Sequence, residues 1–253
     1  MLRELLAADI FKFMLVFARL GAAMMLMPAL GSTLINVRAR LSLALLIAFV
    51  LLPVLSAQLP SQPKALPSLF LLIAGEVTVG LFLGLVMQGL MIALDLAGNF
   101  IGYSVGLTNA FVFDAATAQQ SQLLIGFLNT TIVTLMFLTD IHHLMLRAVV
   151  GSYEVFGPGG ALSMGDLSST LVSITSRSFI IGMQLSAPLV VFSLIFNVSL
   201  GLINRLVPQM QVFFVAMPLQ ILLGLSLLMI GLPPIMLWFV RHFADGIGAF
   251  IGQ

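Results

Sequence analysis

The chain has 253 residues, of which 60% are hydrophobic and 8% charged, against roughly 45–50% and about 25% in an average soluble domain. A formal charge of +1, with no run of Lys or Arg, excludes a nucleic-acid surface, and the absence of cysteine excludes a disulfide framework and thiol chemistry. Such a chain is an integral membrane protein or one packed against membrane protein, and at about 20 apolar residues per spanning helix it has room for about six spans.

The opening MLRELLAADIFKF carries Glu4 and Asp9 beside Arg3 and Lys12 and runs into an apolar stretch without a small-residue cleavage site. It predicts a retained first helix, not a removed signal peptide. Apolar runs predict helices at about Phe13–Leu30, Leu41–Leu55, Leu69–Leu94, Leu123–Leu138, Phe179–Ile203 and Val212–Ile230, with a short last one at Ile235–Phe243. Helix is required because a lone strand cannot satisfy its backbone groups in lipid. PALGS separates the first two runs and QLPSQPKALP the next two, while FGPGGALSMGD lies in the longest polar connection. No internal repeat or low-complexity tract divides the chain.

Several charges suit lipid poorly. Lys12 and Arg19 fall in the first run, Glu76 in the third and Asp140 at the end of the fourth, and a charge at mid-bilayer costs about 2.5–3.5 kcal/mol on insertion scales. Snorkelling near a helix end accounts for Lys12 better than for Arg19. The alternative is ion pairing or packing in an assembly. Orientation is equally unclear: Arg3, Lys12, Lys64, Arg147, Arg177 and Arg241 collect on one side of a six-span layout, and Arg38, Arg40 and Arg205 on the other.

Small residues mark close helix approach. Gly80 and Gly84 form one GxxxG, and Gly98, Gly102 and Gly106 form two more in succession. The last of these opens GLTNAFVFDAATAQQSQ, residues 106–122, which holds two phenylalanines and one charge between two apolar runs.

Catalytic and metal patterns are weak. Gly102-Tyr103-Ser104-Val105-Gly106 matches G-x-S-x-G, with Asp140 and His143 following in hydrolase order, but its glycines fall at helical spacing where that motif needs a strand and a tight turn. An intramembrane serine protease would need Ser104 beside a histidine on a neighbouring helix. Adjacent His142 and His143 point to different helix faces, and Asp140 with His143 offers at most two ligands, so no metal site is expected. His242 stands alone, and fifteen methionines read as adaptable packing. Helices broken by Pro188, Pro208 and Pro218 with charges between them keep a small-solute transporter open, although no matching halves are visible.

FARLGAAMMLMPALGSTLINVRARLSLAL, GEVTVGLFLGL, DLAGNFIGYSVGLTNAFVFDAATAQQS and NRLVPQMQVFFVAMPLQILLGL resemble, in order and spacing, the FliR family of flagellar type III export-gate proteins. The resemblance covers nearly the whole chain, and the counterpart in virulence type III secretion systems, SctT, is the close alternative. It implies an all-α, multi-helix, membrane-associated export-gate subunit in a single domain over residues 1–253. A FliP-like part at about 1–175 would precede a FliQ-like helical hairpin and C-terminal helix at about 176–253.

The implied role is non-enzymatic and needs no cofactor. FliR-like proteins assemble with FliP and FliQ into a helical complex that passes unfolded flagellar subunits. FlhB and FlhA lie beside it and rod proteins at its far end. The location implied is the bacterial inner membrane at the flagellar basal body, with the complex displaced towards the periplasm.

Carried over residue by residue, the family's pore-plugging loop falls on 106–122. Phe111 and Phe113 would be apolar plug contacts, and Asn109, Asp114, Gln119, Gln120 and Ser121 polar lining or loop-fixing groups. Arg205, Pro208 and Gln209 match the family's R-x-x-P-Q block and would meet FlhB or a neighbouring FliQ. Arg19 and Glu76 would be buried charges at subunit contacts, with the glycine series packing between subunits. Family members usually carry proline where this chain has Ala115, and near Asn36.

Overall fold

The computed structural model of the chain describes residues 2–32, 35–106, 121–160, 163–206, 212–248 and 250, and the side chains of all of these except 2–8, 121–122 and 212–215. Every regular element among the described residues is α-helical: α1 (Leu2–Leu26), α2 (Val37–Leu55), α3 (Leu66–Val105), α4 (Ser121–Leu138), α5 (Ile141–Val155), α6 (Met164–Leu206) and α7 (Val212–Gly248). The chain is all-α, as expected.

Among the described residues four helices are long and apolar enough to cross a membrane: α2, α3, α6 and the Ala216–Gly248 part of α7. A fifth span results if α4 and α5, bent at their break, count as one. The described residues thus hold four or five candidate spans, against the about six expected. α1, which carries Asp9, Lys12 and Arg19, is not among them. The 40 residues of α3 and 43 of α6 correspond to roughly 60 Å or more at 1.5 Å per residue. That is about twice the hydrocarbon thickness of a bilayer, so part of each helix lies beyond lipid.

Other differences from expectation have local causes. α5 falls where a polar connection was expected, because its sequence is amphipathic. Ile141, Met145, Ala148, Val149 and Ser152 are buried at helical spacing while His143 and Glu154 stay exposed. α6 begins far ahead of Phe179, through SSTLVSITSRS. Its first turn is capped by Ser163, whose Oγ accepts from the Asp166 amide at 3.3 Å. Ser168, Ser169, Thr170 and Ser173 turn their hydroxyls back onto helix carbonyls at 2.8–3.0 Å. Among the described residues, Pro188 and Pro218 do not break their helices. Pro188 lies inside α6, and Pro218, Pro233 and Pro234 inside α7, which fuses the last two expected runs. Membrane helices tolerate proline because neighbouring groups satisfy the carbonyls it frees.

The chain forms two compact units that alternate along the sequence. The first comprises 1–90, 136–174 and 243–253. Within it, α1 packs on α2, joined by the turn after Met27, where Ala29 adopts a left-handed conformation (φ 68°). Arg40 holds that turn by donating to the carbonyls of Leu30 and Ser32, each at 2.7 Å. Asn36 caps α2 by accepting from the Arg38 amide at 3.0 Å. Lys12 donates to the Ser56 carbonyl at the C-terminal end of α2 at 3.0 Å, a helix-end role beyond snorkelling. The first half of α3 lies against α1: a Cβ on Gly80 would overlap the Arg19 carbonyl, and one on Gly84 would stand 2.6 Å from the Leu26 Cβ.

The second unit comprises 91–135 and 175–242. Its centre is the second half of α3, and three helices close on it. A Cβ on Gly98 would lie 3.0 Å from Ile125 of α4, one on Gly182 of α6 2.8 Å from Leu96, and one on Gly224 of α7 3.0 Å from the Val105 Cα.

These contacts make glycine substitutions unequal. Gly80→Ala forces α3 away from the α1 backbone and is expected to lower stability by about 1–3 kcal/mol. Gly75→Ala, whose Cβ meets nothing within 4 Å, is expected to be neutral or stabilising by up to about 1 kcal/mol. Thermal unfolding of the two variants in detergent checks this, and equal melting temperatures would contradict the packing.

Candidate functional site

Two buried polar clusters, one in each unit, do what an apolar assembly needs of its polar groups. In the first unit Arg19 of α1 is 1% exposed and Glu76 of α3 1% exposed. Arg19 Nε donates to Glu76 Oε2 at 2.7 Å and Nη2 to Oε1 at 3.0 Å, a bidentate pair. Nη1 donates to Ser152 Oγ at 3.1 Å and Nη2 to the Phe156 carbonyl at 2.8 Å. The guanidinium carbon lies 3.8 Å from the centre of the Tyr153 ring, a cation–π contact. α1, α3 and α5 are thereby tied at one point.

A recess of about 420 Å³ beside this pair is lined by Ser68, Gly75, Thr78 and Gly157 among others. The two charges at its edge are already engaged with each other, so neither stands ready for a charged solute. Arg19 and Glu76, expected as buried charges at subunit contacts, are buried and pair with each other inside the chain, because a buried guanidinium needs an anion at bonding distance wherever it lies. Gly80, Gly84 and Gly98 likewise pack against helices of this chain, where packing between subunits was expected.

In the second unit α3 ends at Val105, and Gly106 turns the chain with φ +81°, a conformation that favours glycine. Gln220 of α7, 5% exposed, donates from Nε2 to the Ser104 carbonyl at 3.1 Å and so meets one of the carbonyls a helix end leaves unpaired. Its amide carbon would lie 3.2 Å from a Cβ at Gly106. One turn on, Gly224 abuts Val105. The Gly106 end of α3, from which 107–120 continues, is therefore gripped by α7. Further back, Asp95 accepts from Asn129 Nδ2 of α4 at 2.8 Å, and a Cβ at Gly102 would be in ordinary contact with Leu124, 3.9 Å away.

Ser104 sits within α3 with its Oγ donating to the Phe100 carbonyl at 2.7 Å, the behaviour of a small packed helix residue. Asn109, Phe111, Phe113, Asp114, Gln119 and Gln120 lie outside the described residues, as do Ala115, Pro208 and Gln209; Ser121 is the first residue of α4. Arg205 occupies the last turn of α6 and is exposed, a position the helix dipole favours for a cation.

The sequence reading missed Gln220, Asp95, Asn129, Ser152 and Tyr153. Gln220 and Asp95 are single polar residues in otherwise apolar runs, and that interruption is a usable signal. Ser152 and Tyr153 belong to α5, which was not foreseen as a helix. The separation expected of His142 and His143 is also corrected, since their rings lie 4.0 Å apart. At the first turn of α5 no preceding helical turn restricts them, and both side chains swing to one side.

Removing one member of the Arg19–Glu76 pair strands a buried charge, so Arg19→Ala and Glu76→Ala are each expected to cost about 3–5 kcal/mol. The double variant is expected to cost clearly less than the sum. A double-mutant cycle on unfolding in detergent measures this, and strict additivity would deny the coupling.

Residues 10–246 match the family described as bacterial export proteins, family 1. The chain is 39% identical to the flagellar biosynthetic protein FliR of Caulobacter vibrioides, over 93% of this chain and 94% of that protein. It is 30% identical to the FliR of Bacillus subtilis, over 86% and 85% of the two chains, and 30% identical to that of Escherichia coli, over 87% and 83%. The chain belongs to bacterial export protein family 1 and, within it, to the FliR-type membrane proteins of flagellar export.

Proposed function

We propose that this protein is a structural and gating subunit of the flagellar type III export gate. It acts without catalysis, assembling with FliP and FliQ around a channel for unfolded flagellar subunits, with FlhB and FlhA as neighbours on the export route. Segment 106–122 helps to plug that channel, Phe111 and Phe113 supplying apolar contacts and Asn109, Asp114, Gln119, Gln120 and Ser121 polar ones. Arg205, Pro208 and Gln209 meet a partner subunit.

The observation that carries the reading is family membership across 10–246, joined to helices that cannot be lipid-facing along their whole length. α2 buries only 11% of its most apolar stretch, and Leu46, Phe49, Val50 and Val54 form an exposed stripe at helical spacing. Such a stripe suits lipid or a partner helix. α3 and α6, at roughly 60 Å or more, favour a partner over part of their length. The grip of Gln220 on the end of α3 supports a fixed base for the segment that follows.

Deleting 109–119 is expected to leave assembly intact and to make the membrane leaky to small ions. Conductance of membranes holding the assembled complex measures this, and unchanged conductance would refute the plug. Ser104→Ala is expected to leave export of flagellar subunits unchanged, because its hydroxyl donates to the Phe100 carbonyl of its own helix. Lost export from a stably assembled variant would favour a catalytic role instead.

A further inference from the structure

The break between α4 and α5 brings together three side chains that the family role does not use. Asp140 takes a left-handed conformation (φ 59°) at the start of α5, and its carboxylate makes no cap to the helix amides. It is turned instead to His143, whose Nδ1 lies 3.2 Å from Oδ1. The rings of His142 and His143 lie with centres 4.0 Å apart, tilted by 39°, and Phe137 packs against His142 at 5.1 Å. One ligating atom from each of Asp140, His142 and His143 lies within 4.8 Å of the other two.

We propose that Asp140, His142 and His143 form a binding site for a divalent transition-metal ion of the Zn²⁺, Cu²⁺ or Ni²⁺ class. Two imidazoles and one carboxylate are the donor set those ions prefer over Mg²⁺ or Ca²⁺, which take oxygen. His142 Nδ1 lies 3.4 Å from the Met136 carbonyl. A proton on Nδ1 directed at that oxygen leaves Nε2 with its lone pair for the metal, the usual arrangement of a ligating histidine. Tetrahedral ligation at about 2.0–2.1 Å needs donors roughly 3.3 Å apart. Side chains 62% exposed at His143 and 76% at Asp140 are free to close that gap by rotation. The same exposure leaves the remaining coordination positions to water. The bound ion would replace the Asp140–His143 hydrogen bond and tie the break residue to the first turn of α5.

The test uses the full chain purified through a tag without histidines and titrated with Zn²⁺ by calorimetry and with Co²⁺ by visible absorption. One ion per chain is expected. Asp140→Asn, His142→Ala and His143→Ala are each expected to weaken binding by about tenfold or more. His242→Ala, which changes the one histidine outside the cluster, is expected to bind as the unaltered chain does. Circular dichroism establishes that each variant is folded. Absence of stoichiometric binding by the unaltered chain, or binding unchanged in folded His143→Ala, would overturn the proposal.

Discussion

A guanidinium buried among apolar helices is tolerable only if an anion and further acceptors surround it, and the Arg19–Glu76 pair meets that condition. The first unit depends on it. The side chain of Arg19 reaches Glu76, while its own carbonyl rests on Gly80, one helical turn further along α3. Charge pairing and close approach thus fix a single register of α1 on α3. Ser152 and the Phe156 carbonyl add α5 to the same point. Apolar surface alone would let these helices slide, because aliphatic contacts differ little from one register to the next.

The second unit follows the same rule with neutral groups. The amide of Gln220 meets a carbonyl at the end of α3, and Asp95 meets the amide of Asn129. In the first unit the exposed stripe of α2, Leu46, Phe49, Val50 and Val54, is apolar. A protein built in this way offers hydrocarbon-like faces to lipid and to partner helices alike. That accounts for charges that resisted a simple bilayer layout: Lys12, Arg19 and Arg40 each bond to groups inside the chain.

Much of this was legible in the sequence where one residue type carries one physical demand. Apolar runs required helices, and Arg19 and Glu76 demanded partners. The glycines at 80, 84 and 98 marked close approach. What stayed hidden depended on combinations. α5 has too many polar residues to read as a span, and only its partners on α1 and α3 make its one apolar face intelligible. The identity of each partner was likewise hidden, since Arg19 meeting Glu76 across 57 positions is a property of packing and not of spacing. His142 and His143 were read as though mid-helix, although they occupy a first turn where side chains move more freely. The plug residues from Asn109 to Gln120 were named through resemblance alone, and they lie outside the described residues.

The central claim is that the apolar faces left by this internal pairing are covered by other export-gate subunits. Mass determination of the complex purified from membranes through a tag on this chain tests it most directly. The account predicts a discrete assembly well above the 27.1 kDa of one chain, containing FliP and FliQ. A stable, export-competent single chain without them would contradict it.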